Sequence, residues 1–506
     1  MISPHRRYET QTTWFHARYE PIEKVSALEQ QVARILAMIR SARNRTAMAN
    51  RLPPEVMAKV LSFRPDNRDL ISATHVCERW RSTLLSTPLL WTDVEFGDPD
   101  RTATYLERSK GAPLHVSIGG SALDSSTTDM SWIDRMSSLS INGDQGQIES
   151  VVGRLCLPAP FLQSLTFSAS LRTPEWMPVG HPIRIPPGFL GHQMPSLRAL
   201  AFISVSPPPI ISLPLQHLTN LRWTDSSVVV GELLALLASA PLLEAITLDF
   251  RVVPMPVDVP LGVITLSKLR KLVWVNYRGL LSLMHFLIAP KLDDLKIHLN
   301  YDPTSGDPSS ILPPRRGHFP SLFKPTGLTY TCRGPTRTWQ FTYASGQLII
   351  HETPGFCTRE PPADRWLSPG TPISFGSTKE LVVDGLDGYP LPGNIPIKRF
   401  ESLESLKLVG EVDRLLDVLQ PSGNTARGAL PVPFLSHLEL HPTLPGHDFP
   451  FEALMEILRE RKEAGHGVKT LCIGGEYGEC SSEVASELTK LVDVLMIDET
   501  PDSVEI

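Results

Sequence analysis

The sequence predicts an α/β fold: a short helical domain near the N-terminus, then an irregular array of strand–helix units sharing a parallel sheet. Three observations predict it. Apolar residues with helical spacing and helix-start signals cluster at 52–91. From about residue 100 onward, an apolar pattern ending in strand-like alternation recurs many times. Forty-seven prolines in 506 residues are not expected inside long helices, so a chain of mostly short, punctuated elements is expected.

Composition narrows the function classes. Apolar residues are 42% and charged residues 20%, enough for a large core. The net charge of −6 and pI of 6.2 carry no global basic signature, so no nucleic-acid partner is expected. Six cysteines (77, 156, 332, 357, 472, 480) contain no CxxC pair, which argues against a disulfide framework or zinc ribbon and for a reducing compartment, cytoplasm or nucleus. The first 20 residues hold no apolar signal segment, and the longest apolar stretch, 233–243, is interrupted by Pro241 and is far short of the ~20 residues that span a bilayer. No membrane partner is expected.

The first element is a helix over 21–47, with Pro21 in its first turn. Val25, Leu28, Val32, Ile35 and Ile39 form a seam spaced three and four apart, and Arg34, Arg40, Arg43 and Arg45 crowd the end, where cations complement the helix dipole. A short dimerising coiled coil is one reading. The seam covers fewer than three heptads, so an amphipathic helix folded back on its own chain is the expectation.

Residues 52–91 carry three more helices. Pro53 and Pro54 stand only at or before a first turn, and Glu55 favours the positive end of the dipole. Val56 with Val60, and Met57 with Leu61, make i,i+4 apolar pairs. Pro65 ends this helix near Phe63. Asp69 is placed as the cap of a second helix carrying Leu70 and Ile71. Thr74 is placed as the cap of a third, with Val76, Cys77, Trp80 and Leu84 as its stripe. Forty residues cannot bury all this apolar surface internally, so some of it should meet a neighbour or partner.

The order Leu52-Pro53-Pro54-Glu55-Val56, Asp69-Leu70, Val76-Cys77-Glu78-Arg79-Trp80-Arg81 and Pro88-Leu89-Leu90-Trp91 resembles an F-box. The resemblance implies three helices that bind the Skp-type adaptor of cullin-based (SCF-type) ubiquitin ligases. By position it implies that Leu52, Pro53, Val56, Val60, Leu61, Leu70 and Val76 pack on the adaptor, while Cys77, Trp80 and Trp91 hold the motif together. Arg64 departs from the family, which usually has an apolar residue there; an arginine can snorkel at a rim.

The later pattern reads apolar-x-x-apolar-x-apolar. It appears as Leu162, Leu165, Phe167; Leu197, Leu200, Phe202; Leu243, Ile246, Leu248; Leu269, Leu272, Trp274; and Leu292, Leu295, Ile297. It returns as Leu403, Leu406, Leu408; Leu435, Leu438, Leu440; and Val468, Leu471, Ile473, with degraded copies at Leu221, Trp223 and Leu381, Val383. The central residues 221, 246, 272 and 295 are separated by 25, 26 and 23 residues, a leucine-rich-repeat period, whereas other steps of 32–35 are irregular. Helices are expected between strands at 232–240, 280–288, 412–420 and 451–463, with a helix at 102–110 and a strand at 113–118 leading in. Stacked strand–helix units give an irregular leucine-rich-repeat solenoid with a parallel sheet. Only Asn300 suits an asparagine ladder. Residues 302–376 hold twelve prolines, with strands expected at 328–332, 339–343 and 347–351. The whole layout resembles the mushroom-type fungal F-box family.

The expected division is therefore 1–48 tail and helix, 49–95 F-box, 96–160 connection, 161–300 repeats, 301–376 proline-rich irregular repeats or loops, and 377–506 repeats with a cap. Motifs for chemistry are missing: there is no HExxH, P-loop, GxSxG or GxGxxG. Cys472, Cys480 and His466 lack a fourth metal ligand and finger spacing. No cofactor, metal or catalytic residue is assigned. The expectation is a non-enzymatic subunit that docks a Skp-type adaptor, and through it a cullin, and presents a repeat surface to an unknown target protein. The competing reading is a repeat scaffold whose F-box-like helices only cap the solenoid. Exposure of Leu52, Val56, Val60 and Leu61 discriminates between the two.

Overall fold

The computed structural model describes residues 6–63, 67–119, 130–169, 186, 188–205, 214–227, 230–252, 262–276, 284, 286–301, 318–320, 324–333, 336–344, 346–354, 373–385, 397–410, 416, 419, 432–442, 449–474 and 480–497. The chain forms two compact units, Met1–Ser138 and Leu139–Ile506. The segment 96–160, expected to be one connection, is divided between them. Among the described residues no helix is long and apolar enough to cross a membrane.

In the first unit, α1 (Arg6–Thr46) starts well before the expected residue 21 and runs through Pro21. The segment 6–20 has no apolar stripe, which hid it from periodicity. The folded-back helix is corrected: Val25, Leu28, Val32, Ile35 and Ile39 are 46–64% exposed. Three short helices follow, α2 (Pro54–Ser62), α3 (Asn67–Thr74) and α4 (Glu78–Leu85). Then β1 (Asp93–Phe96), α5 (Pro99–Arg108) and β2 (Leu114–Gly119) make a βαβ unit in which Val94 pairs with Val116 and Phe96 with Ile118 in parallel. Asp98 caps α5 by accepting from the backbone N–H groups of Asp100 and Arg101, and Pro99 occupies the first turn. This corrects the expected 102–110 start by three residues. Trp91, Tyr105, Leu114 and Ile118 are buried, and Phe96 lies 4.9 Å from Trp132.

The border between the units falls inside β3 (Met136–Gly143). After it comes α6 (Gln145–Arg154), closed by a capping box between Asp144 and Gln147. Next are β4 (Ser164–Ala169), β5 (Ala199–Ile203), β6 (Asn220–Ser227), α7 (Val230–Ser239) and β7 (Ala245–Val252). These are followed by β8 (Ile264–Thr265), β9 (Lys271–Asn276), β10 (Leu287–Ile288) and β11 (Asp294–Tyr301). Strands β12 (Gly327–Arg333), β13 (Thr336–Thr342), β14 (Gln347–Pro354), β15 (Glu380–Asp384), β16 (Ser405–Gly410) and β17 (His437–Pro442) come next. The described chain ends with α8 (Phe451–Glu463), β18 (Thr470–Ile473), α9 (Ser482–Leu491) and β19 (Val494–Ile497).

The large sheet of this unit is dominated by parallel pairs. The order β4-β5-β6-β7-β9-β11 follows the chain, and so does β15-β16-β17-β18-β19. The recurring pattern explains the register. Leu165, Leu200, Leu221, Ile246, Leu272 and Leu295 are aligned across neighbouring strands, and so are Phe167, Phe202, Trp223, Leu248, Trp274 and Ile297. All of them are buried. Phe167 and Phe202 stack at 5.5 Å. A backbone staircase fixes each step: the carbonyl before one strand accepts from two successive N–H groups of the next, as Arg270 does from Asp293 and Asp294.

Between the two runs the order reverses. β11 pairs in parallel with β14, β14 with β13 and β13 with β12 in antiparallel, and β12 in parallel with β15. The three expected strands at 328–351 therefore form a meander inserted backwards. Gly346 permits its docking: the Gln347 N–H donates to the Asp293 carbonyl, and a Cβ on Gly346 would fall on that same carbonyl. One expected helix is corrected at its end. Of 280–288, residues 280–283 and 285 lie outside the described residues, and Leu287 and Ile288 form β10, paired with β8. Pro290 biases the preceding backbone towards extended conformations. Of the expected helix at 412–420, only residues 416 and 419 are described.

The meander brings His298 of β11 against His351 of β14, rings stacked with centroids 4.3 Å apart. Thr338 Oγ1 lies 2.9 Å from His351 Nδ1. Burial lowers both imidazole pKa values; the His351 charge and Lys296 add to this at His298, and Lys296 at His351. The unfolded chain therefore takes up protons first as pH falls. The contribution to stability is complete above the ordinary histidine value of about 6.5 and is lost as pH drops through the lower folded-state values. Denaturant melts at pH 7.5 and 5.5 should show the wild type losing more stability than the His298→Asn, His351→Gln variant. Equal losses would refute this assignment.

Candidate functional site

The helical stretch is ordered around one amide. Asn50, in a short turn of helix after α1, is buried and donates through Nδ2 to the Asn44 carbonyl at 2.6 Å. Its Oδ1 accepts from Trp80 Nε1 at 2.7 Å and from Cys77 Sγ at 3.8 Å. Cys77 and Trp80 are thus tied, through Asn50, to the end of α1. Asn50 escaped sequence reasoning because its partners lie 27 and 30 residues away. Asn50→Ala leaves the Trp80 N–H without this partner and should cost about 1–3 kcal/mol in a chemical melt. A loss below ~0.5 kcal/mol would show the amide to be dispensable.

Trp91 closes the other end. It is fully buried, and its Nε1 donates to the Leu84 carbonyl at 2.9 Å. Tyr105 meets its ring edge-on at 5.0 Å, and the Arg108 guanidinium lies 4.4 Å from the ring centroid. Two expected caps are corrected. Asp69 lies inside α3, which begins at Asn67. Thr74 ends α3, its Oγ1 donating to the Ile71 carbonyl, and the residue preceding α4 is Cys77. Val76 therefore lies outside the third helix.

The two i,i+4 pairs of α2 part company. Met57 and Leu61 are buried; Val56 and Val60 are 43% and 54% exposed. Leu52 and Pro53, just before α2, and Val76, between α3 and α4, are exposed as well. Leu70 is buried. Of the seven residues placed at the adaptor, five face solvent, while Leu61 and Leu70 are core, because their side of each helix is the one packed within the unit. The exposed stripe continues to Phe63, which the sequence marks only as a helix end; it is 74% exposed, with Lys59 Nζ 4.9 Å from its ring centroid. Arg79 Nη2 donates to the Leu52 carbonyl at 2.8 Å and holds the start of this stripe. Arg64 lies outside the described residues.

Residues 49–96 match the F-box-like family. This stretch is an F-box-like domain. Domains of this family generally bind Skp-type adaptors, and F-box proteins are generally linked to substrate recognition in SCF ubiquitin ligases. Residues 97–506 lie outside the match. No curated protein sequence matches the chain. The F-box-like domain spans the buried Asn50 at its start and Trp91 and β1 at its end, while Asn44, Tyr105 and Arg108, which these two residues contact, lie just outside it.

Beyond the F-box-like domain, the less buried face of the large sheet carries Lys296, His298, His351, Lys407, Glu439 and His441 on half-buried positions. Burial raises the Glu439 carboxyl pKa, but hydrogen bonds from Lys407 and His441 outweigh it and hold the group below its ordinary value. Cys472 is half-buried on β18. Among the described residues no three His, Cys, Asp or Glu side chains cluster so as to hold a metal ion.

Proposed function

We propose that the chain is a non-catalytic, substrate-recruiting F-box subunit of an SCF-type cullin ubiquitin ligase. It acts in ubiquitin-dependent protein degradation in the cytoplasm or nucleus. The F-box-like domain docks a Skp-type adaptor, and through it a cullin. The following array, read as degenerate leucine-rich repeats in a solenoid like that of the mushroom-type fungal F-box family, presents a target protein. Its half-buried polar sheet face is the candidate target surface. Catalysis belongs to the other subunits; this chain raises the effective concentration of target lysines near a charged enzyme.

One observation carries the reading. The stripe Leu52, Val56, Val60, Phe63 is exposed, on a domain whose opposite face, with Met57, Leu61 and Leu70, is packed. A helical cap serving only its own chain would bury that stripe. Covering these half-exposed side chains recovers about 1 kcal/mol each, enough together to seat a partner. The test is co-expression with a Skp-type adaptor. Co-purification in a stoichiometric complex is expected; a well-folded chain that never captures the adaptor would leave the capped-scaffold reading in its place.

A further inference from the structure

In the first unit, α3, α4 and α5 line a cleft of about 370 Å³. Three arginines border it, Arg81, Arg101 and Arg108, together with His75; Ile71 and Leu85 supply apolar wall. Among the described residues no carboxylate lines it. The ion pair found for these arginines among the described residues is Arg101 with Glu95, at 4.0 Å and with a largely exposed carboxylate. The chain as a whole is acidic, so a cleft of converging cations is a local departure.

Apart from the long Arg101–Glu95 pair, the three heads are held in place by carbonyl, imidazole and aromatic groups. Arg81 Nε donates to the Thr74 carbonyl at 2.9 Å, and its Nη2 lies 3.3 Å from His75 Nδ1. Arg108 sits over the Trp91 ring and Arg101 over Tyr105, at 4.4 and 5.7 Å from the centroids. These contacts restrict the long side chains in advance, yet use few of the five N–H donors each guanidinium carries. Bringing three like charges together is unfavourable unless a ligand compensates them.

We propose that this cleft binds a phosphomonoester. Three guanidinium charges, of which Arg101 alone has a carboxylate neighbour at 4.0 Å, leave a surplus of positive charge that suits the charge of about −1.5 to −2 that a phosphomonoester carries at pH 7. Planar N–H forks suit its oxygens bidentately. The volume falls in the range of about 300–1,000 Å³ typical of small-ligand sites, which leaves room for an organic group against Ile71 and Leu85. None of Leu52, Val56, Val60 and Val76 lines the cleft, so the proposal stands apart from the adaptor reading.

Calorimetric titration of the full chain at constant ionic strength tests it, with inorganic phosphate, O-phosphoserine, and a phosphoserine peptide beside its unphosphorylated form. Saturable one-to-one binding of the phosphorylated probes is expected, at least tenfold tighter than chloride or acetate. A phosphopeptide tighter than O-phosphoserine identifies a modified protein as the source; the reverse order identifies a small phosphorylated metabolite. Arg101→Gln with Arg108→Gln should weaken binding at least tenfold. Should that pair unfold the unit, Arg101→Lys with Arg108→Lys keeps the charges, removes the forks and should weaken binding at least threefold. Heat that follows ionic strength alone, or unchanged affinity in a folded variant of either pair, overturns the proposal.

Discussion

Val56→Asp combined with Val60→Asp should abolish co-purification with a Skp-type adaptor and leave the chain folded. Both side chains are about half exposed in the free chain, so two carboxylates there remain hydrated and cost little. In a docked complex the same carboxylates would be stripped of water without partners, at several kcal/mol. A loss of at least 100-fold in affinity, about 2.7 kcal/mol, is expected. The thermal midpoint should move by no more than about 2 °C, since surface substitutions usually stay within ±0.5 kcal/mol. The contrast is Leu61→Asp, which places a charge at a buried position and should unfold the domain whether or not an adaptor is present. An adaptor that still binds the folded double variant with wild-type affinity would remove the α2 stripe from the interface.

Trp91→Ala should cost about 3–5 kcal/mol, the range for removing a large buried aromatic. The indole is fully buried, and its loss leaves a void beside Tyr105 and removes the ring beneath Arg108. Trp91→Phe separates the contributions. It keeps part of the ring and loses the hydrogen bond to the Leu84 carbonyl, which still accepts from the backbone of Thr87. The phenylalanine variant should therefore lose less than half as much as the alanine variant. Urea melts followed by tryptophan-independent circular dichroism would measure both. Equal losses would mean that the indole N–H, not the packing, holds the closure.

What the sequence discloses depends on how local the physics is. The strands of the array are legible because each carries its own apolar alternation, and Leu165, Leu272 or Leu438 would be buried in almost any stacked arrangement. The F-box-like helices are legible because their proline starts and ordered tryptophans recur as a pattern. Sidedness is less legible: Val56 with Val60 and Met57 with Leu61 are equally good apolar pairs, and only packing within the unit decides which is buried. The start of α1 is hidden because residues 6–20 carry no apolar stripe for periodicity to find. Asn50 and the arginine cleft depend on contacts between elements, which no spacing rule reaches. Pairing order is hidden for the same reason. An alternating strand has the same period whichever neighbour it joins, so the reversed meander leaves no mark in its own residues.

That reversal governs how the array can assemble. In the ordered runs each strand joins one laid down shortly before, as Ile246 joins Leu221 some 25 residues earlier. At the meander, Gln347 must find Asp294 across 53 residues, and only then does β12 offer an edge to β15. Closing such a loop costs chain entropy before any strand contact repays it. A zipper-like propagation from one end of the array to the other is therefore expected to slow at β11, because among the described residues the second run of strands joins the first through the three strands of the meander.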